Sequence, residues 1–317
     1  MLRNFVKKLP LVRWLYWLRV AKREWLLSEQ QLKSAVAQIE LRNWRTLEGN
    51  YNSIEKGDIS PENEQVIVSL TSFGERVAMV HHTILSLMCQ TVQPKAVYLW
   101  LAEDEFNADN IPPELKRLQL LGLRVEFCPD LKSYKKLIPT LKIHPSDAII
   151  TFDDDVIYPQ DHIERLVAES KRFPDTVICH LAHQVTFDNV QNKTSDQPRT
   201  LLPYRKWPSG ISKAKPAKDV YPVGVGGVLY PANCFDEEVF DIDKFMEICP
   251  FADDVWFKFM SLKNGRLSKV VDAPTPYREY LHIPKSQETS LWKINRDKND
   301  MQIRALLKAY PEIPLSM

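Results

Sequence analysis

The chain has 317 residues, 44% hydrophobic and 26% charged, with 42 basic and 41 acidic side chains for a net charge of +1. This is the composition of a globular chain with ample material for a core, and its near-neutral charge excludes binding of nucleic acid through overall charge. The five scattered cysteines (89, 128, 179, 234 and 249) contain no Cys-x-x-Cys pair, which excludes a zinc or redox motif and predicts reduced, buried thiols in a cytoplasmic protein.

Residues 1–24 hold Arg3, Lys7, Lys8, Arg13, Arg19, Lys22 and Arg23 against Glu24 alone, so the remainder is net acidic. Phe5, Trp14, Tyr16 and Trp17 lie among these charges. "PLVRWLYWLRV" is too short and too interrupted by arginine to span a bilayer, which takes about 20 apolar residues. No small-residue cleavage site follows, as a secretory signal would require. The segment predicts a cationic, Trp-rich helix on an anionic membrane surface. The alternative is a helix packed on the protein's own core or in a homodimer. Residues 25–48 continue as helix, with Trp25, Leu32, Val36 and Ile39 on one side. "EGNYNSIEKGDISPENE", broken by Gly49, Gly57 and Pro61, reads as a linker. The division is therefore a helical segment 1–48, a linker 49–63, a main domain 64–285 and a helical tail 286–317.

From Gln65 the pattern changes. "QVIVSLT" (65–71) predicts a strand, "VAMVHHTILSLMCQ" (77–90) a helix, "AVYLWLA" (96–102) a strand and "PPELKRLQLLG" (112–122) a helix opened by proline and closed by glycine. "LRVEF" (123–127) predicts a strand, "SYKKLIPTLKI" (133–143) a largely helical stretch and "DAIITFD" (147–153) a strand. "PQDHIERLVAESKRF" (159–173) predicts a helix and "TVICHLA" (176–182) a strand. This alternation predicts an α/β fold, Rossmann-like, with a mostly parallel sheet and helices on both faces. Ligands in such sheets sit beyond the carboxyl ends of the strands. Thr71, Ser72, Asp130 and Asp153 to Asp155 fall on that rim.

The second half is less regular. The polar, proline-containing stretch 191–219 predicts a mobile loop, which would serve either as a lid over a ligand or as surface slack. "VYPVGVGGVLYP" (220–231) is glycine-rich and β-like, and "FADDVWFKFMSLKNG" (251–265) predicts a helix opening on Asp253 and Asp254.

"TFDDDV" carries the chemistry. Side chains alternate along an extended strand, so Asp153 and Asp155 point to one side and Asp154 to the other. Two same-side carboxylates can share a hard divalent cation, Mn²⁺ or Mg²⁺, which also takes substrate phosphates. Asp254 or Asp253, in the apolar setting "CPFADDVWF", suits a general base.

The ordered set "VIVSLTSFGERV", "SLMCQTVQPKAVYLWLA", "DLKSYKKLIPTL", "TFDDDVIYP", "GVGGVLYP" and "CPFADDVWF" resembles GT-A glycosyltransferases, in particular bacterial family-2-like enzymes, over about residues 64–265. The resemblance implies a GT-A fold and a metal-dependent transfer of sugar from a nucleotide-sugar donor, a UDP-sugar, to a hydroxyl. By the family's pattern Asp155 holds the metal and Asp153 contacts ribose or metal. Thr71 and Ser72 lie by the nucleoside, Arg76 reaches a phosphate, Asp130 accepts from the base and Lys136 approaches the donor. Asp154 is left to capping or a nucleoside contact. His282, in "YLHIPK", is implied as a further metal ligand. Asp254, before Asp253, is the expected base of an inverting reaction. The Gln-x-x-Arg-Trp pattern of processive synthases does not occur, which favours transfer of one sugar. With the basic N-terminus, the bacterial resemblance implies a peripheral enzyme on the inner face of the cell membrane, acting on a glycan or lipid-linked acceptor in lipopolysaccharide or capsule assembly.

Two other classes compete. "FDDDV" also fits the Asp-x-Asp motif of haloacid-dehalogenase-like phosphatases, with Asp153 as nucleophile and Asp155 as acid/base, although that motif ordinarily follows the first strand. A non-catalytic membrane-surface module would rest on the basic N-terminus alone.

Overall fold

The computed structural model describes residues 30–50, 52, 64–188, 200–284, 292–313 and 315. The expectations for the basic, Trp-rich segment, with its membrane or homodimer contact, lie outside the described residues. So do those for most of the linker and for 189–199 of the polar stretch.

Helix α1 spans 30–50. The main body then runs β1 (Glu64–Thr71), α2 (Val80–Met88), β2 (Pro94–Ala102), α3 (Pro113–Leu120), β3 (Leu123–Cys128), α4 (Ile138–Ile143) and β4 (Ala148–Thr151). It continues with β5 (Val156–Ile157), α5 (His162–Arg172), β6 (Val177–Cys179), β7 (Ala182–Gln184), β8 (Val220–Pro222) and β9 (Val228–Tyr230). The last elements are α6 (Ile242–Ile248), α7 (Asp253–Lys263), β10 (Ser268–Val270), β11 (Leu281–His282) and α8 (Trp292–Ala309).

Seven strands form the central sheet in the order β10-β6-β9-β4-β1-β2-β3. β2 and β4 flank β1 in parallel, and β3 runs parallel to β2. β9 alone is reversed, antiparallel to both β4 and β6. The mostly parallel α/β fold read from the sequence is the fold observed.

β1 shows why. Its side chains alternate between two cores, with Ile67 on one face and Val66, Val68 and Leu70 on the other. A strand buried on both faces needs a continuous apolar run, which "VIVSL" supplies. The tail does not stand apart, because Ile303, Leu306 and Tyr310 of the α8 region join the same core as α7. Trp44 and Leu47 of α1 likewise join the opposite core.

Several boundaries differ from expectation. The run 77–90 splits into a 3-10 turn at Gly74–Ala78 and α2, and 133–143 splits into a 3-10 turn at Lys132–Lys136 and α4. Pro139 enforces the second break: it has no N–H to continue the preceding turn. The stretch 176–182 divides between β6 and β7. Residues 200–219 do not form the mobile loop that their composition suggests. Trp207 is buried, donates from its indole to the Leu202 carbonyl at 2.9 Å and packs among Tyr204 and Tyr221.

Among the described residues, no helix is long and apolar enough to cross a membrane. All five cysteines are free and buried, and burial pushes the thiols of Cys89 and Cys128 up to about 11.

Candidate active site

β4 ends at Thr151, so Asp153 to Asp155 lie in the turn between β4 and β5. This corrects the alternation argument, since the two-residue period lapses once the chain leaves the extended conformation. Asp153 turns to Lys136, whose Nζ is 3.1 Å from Oδ1. Asp154 and Asp155 both turn to Arg76: Nε donates to Asp154 Oδ2 at 3.1 Å and Nη2 lies 3.1 Å from Asp155 Oδ2. Ser72 Oγ also donates to Asp154 Oδ2.

Asp154, least explained by the sequence, is thus the buried partner of Arg76. Burial pushes its carboxyl up to about 6, against the opposing pull of Arg76 and Ser72. Burial by itself would lower the Arg76 guanidinium, yet Asp154 and Asp155 outweigh it and hold the group above its ordinary value.

Lys136 is placed by its neighbours. One turn further on, Thr140 Oγ1 accepts from the Trp100 indole at 2.7 Å and shares a 2.7 Å hydrogen bond with Ser69 Oγ. These bonds fix the segment to β1 and β2. On the other side Tyr134 donates to the Cys249 carbonyl at 2.7 Å and stacks on Phe245. The Tyr134 contacts tie the same segment to the chain leading into α7.

Lys136 Nζ consequently stands 2.9 Å from Asp253 Oδ2 and 3.9 Å from Asp254 Oδ1, besides its contact with Asp153. Burial alone would depress this ammonium. The three carboxylates outweigh burial and hold it well above its ordinary value. Asp253 and Asp254 open α7, but neither is its cap, which is Ala252.

The two acids differ. The Asp253 side chain is 9% exposed and Asp254 is 25% exposed. Asp254 Oδ2 accepts from the Gly224 N–H at 3.0 Å. Burial pushes the Asp254 carboxyl up to about 7, with Lys136 opposing and Asp253 and Asp153 adding to the push.

The glycines of "GVGGV" serve close approach. A Cβ on Gly224 would stand 2.9 Å from both Asp254 Oδ1 and Lys136 Nζ, and 3.3 Å from Asp153 Oδ1. Gly227 has φ +79°, and a Cβ there would fall 2.4 Å from the Phe152 ring. Tyr158 ties the same loop to the acidic turn, accepting from Asp153 N–H at 3.3 Å and donating to the Val225 carbonyl at 3.0 Å.

The structure therefore gathers Ser72, Arg76, Lys136, Asp153, Asp154, Asp155, Asp253 and Asp254. His282 pairs with Val156, the residue after Asp155, in the β5–β11 ribbon. Burial lowers the His282 imidazole, and Asp153 partly offsets this, which puts the ring within the field of the site. Thr71 and Asp130 point elsewhere. Thr71 Oγ1 donates to the Trp100 carbonyl at 2.8 Å, and Asp130 bonds to Lys135 and to the Lys132 N–H.

Tyr277 was not anticipated. It is half exposed, its ring centroid is 5.4 Å from that of His282, and burial followed by the charges of Asp155 and Asp153 raises its phenol. Its place in "PYREYLHIP", five residues before His282, was the available signal.

No family model matches the chain, and no curated protein matches it. Solved structures similar to it include 4-diphosphocytidyl-2C-methyl-D-erythritol synthase, at 12% identity and a TM-score of 0.41 over 74% of this chain and 98% of that one. Another is CMP:2-keto-3-deoxy-manno-octonic acid synthetase complexed with CTP, at 10% identity and a TM-score of 0.38 over 73% and 98%. A third is 2-C-methyl-D-erythritol 4-phosphate cytidylyltransferase from Thermus thermophilus, at 9% identity and a TM-score of 0.39 over 71% and 95%. At such identities and scores these likenesses carry no chemistry over.

Proposed function

We propose that the chain is a glycosyltransferase that moves one sugar from a nucleotide-sugar donor, a UDP-sugar, to an acceptor hydroxyl with inversion. The observation that carries this reading is the Lys136 cluster. One buried cation joins the acids after β4 to the acids opening α7 across the bare backbone of Gly224.

Asp254 is the base. It is the more exposed of its pair, and a carboxyl raised to about 7 takes a proton readily near neutral pH. Asp253 is a positioning residue, held on Lys136. As the acceptor oxygen bonds to the anomeric carbon, its proton passes to Asp254. The bond from that carbon to the diphosphate breaks, and its electron pair leaves with the nucleoside diphosphate. Arg76 and Lys136 supply fixed positive charge beside the departing phosphates.

The donor set fits a hard divalent cation in kind, because Asp153 and Asp155 offer carboxylate oxygens and Asp153 is a third exposed, at 33%. Asp155 and Asp153 would hold Mn²⁺ or Mg²⁺, with His282 beside them, and the ion would offset charge on the leaving diphosphate. Arg76 and Lys136 now pair with those acids, so binding the ion would exchange one cation for another.

A glycan or lipid-linked acceptor at the inner membrane face, in bacterial surface-polysaccharide assembly, follows from the sequence resemblance and the basic N-terminus. The test is release of UDP from a panel of UDP-sugars with Mn²⁺. One donor should be consumed, Asp155→Asn should abolish its turnover, and Asp254→Asn should slow it by about 10²–10⁴. Full turnover by Asp155→Asn would sink the assignment.

A further inference from the structure

A second group of ligating side chains lies where α1 crosses α2. Glu40 faces His81 and His82, with Oε1 at 3.5 Å from His81 Nε2 and Oε2 at 3.6 Å from His82 Nδ1. One ligand atom from each of the three lies within 4.8 Å of the other two, and no other trio of His, Cys, Asp or Glu among the described residues does so.

We infer that Glu40, His81 and His82 form a binding site for a divalent transition-metal ion of the zinc class.

Three observations support the site. The separations are too long for good hydrogen bonds, which run about 2.7–3.2 Å. Each is close to the edge of a tetrahedral site, where bonds of about 2.0–2.1 Å put ligand atoms about 3.3 Å apart, and a small turn of the carboxylate would bring one oxygen between the two rings. Next, the His81 Nδ1 lies 3.1 Å from the Ala78 carbonyl. A carbonyl can only accept, so Nδ1 carries the proton and Nε2 is the nitrogen turned toward Glu40. A backbone acceptor behind a ligating imidazole is the usual support of a metal-bound histidine.

Last, His82 Nδ1 is buried without a hydrogen-bond partner. Two imidazoles and one carboxylate suit zinc better than magnesium or calcium, and three protein ligands leave one coordination position open.

The site would cross-link α1 to the main domain at a consequential place. One turn before Glu40, Val36 packs against Ile157 of β5 and Ile283 just after β11. The β5–β11 ribbon follows Asp155 and contains His282. Trp44, one turn beyond, stacks under the Arg117 guanidinium at 3.9 Å and donates to Glu40 at 3.4 Å. A bound ion would fix α1 along the back of the acidic turn. This inference does not depend on the proposed transfer reaction.

The experiment is Zn²⁺ titration of the untagged full chain, stripped with a chelator, in competition with a chromophoric chelator. X-ray absorption is then recorded on the one-equivalent complex. One tight equivalent is expected, with about two imidazole nitrogens and oxygen in the inner shell. The double variant His81→Gln, His82→Gln should lose it, and Asp155→Asn should keep it. Absence of a tight equivalent, its survival in the double variant, its loss in Asp155→Asn, or a shell without imidazole would each overturn the site. The absorption spectrum needs no variant, so a folding defect in the double variant leaves the test intact.

Discussion

The Lys136 ammonium lies 2.9 Å from the Asp253 carboxylate, with both side chains more than nine-tenths buried. Lys136 keeps the acids after β4 and those opening α7 together, since like charges would otherwise repel. Removing it leaves Asp253 buried without that cation. Lys136→Met should lower stability by about 3 kcal/mol, the cost typical of breaking a buried ion pair from one side. Urea unfolding followed by tryptophan fluorescence measures this.

The same lysine sets the titration of Asp254. A base works when ionised, so turnover should fall as pH drops through about 7, with a one-proton acid limb. Asp254→Asn should remove that limb and cost about 10²–10⁴ in rate. Lys136 lowers the Asp254 value, so Lys136→Met should move it upward. Carboxyl ¹³C NMR titration reads this even where the variant is inactive.

Gly224→Ala tests close approach. The added methyl would meet the mobile ends of Asp254, Lys136 and Asp153 rather than backbone. Those ends can shift, so melting should stay within about 4 °C of the parent chain. Displacing them by a fraction of an ångström to an ångström should cost about 100-fold in turnover. Equal loss of fold and turnover would contradict this account.

Trp207→Ala tests whether 200–219 belongs to the core. Trp207 is 6% exposed, so the substitution should destabilise by about 3–5 kcal/mol, as for other buried large-to-small changes. A flexible segment would show almost no change in urea midpoint.

Much of the frame was legible because burial on both faces demands unbroken apolar runs. β1, β2 and β4 stand at the runs "QVIVSLT", "AVYLWLA" and "DAIITFD", the last ending two residues early at Thr151, and the edge strand β3 stands at "LRVEF", where Arg124 and Glu126 are exposed. What escaped depended on distant partners. Asp154 became intelligible only with Arg76 and Ser72 placed against it. Trp207 sits in a polar, proline-containing stretch, so composition concealed its burial. Thr140 looks like an ordinary helical residue, yet it anchors the segment that presents Lys136. Neither the reversed β9 nor the meeting of Glu40 with His81 leaves a local signal, because each contact joins segments far apart in the chain.

The reversed β9 has a consequence for synthesis. Val228–Tyr230 slots between β4 and β6, both of which leave the ribosome first. Until those residues emerge, β4 has no partner on that side. "AIIT" contains neither lysine nor proline to discourage pairing with another chain. A nascent chain stalled before Val228 would expose that edge of β4 and would be a substrate for chaperones or a seed for aggregates.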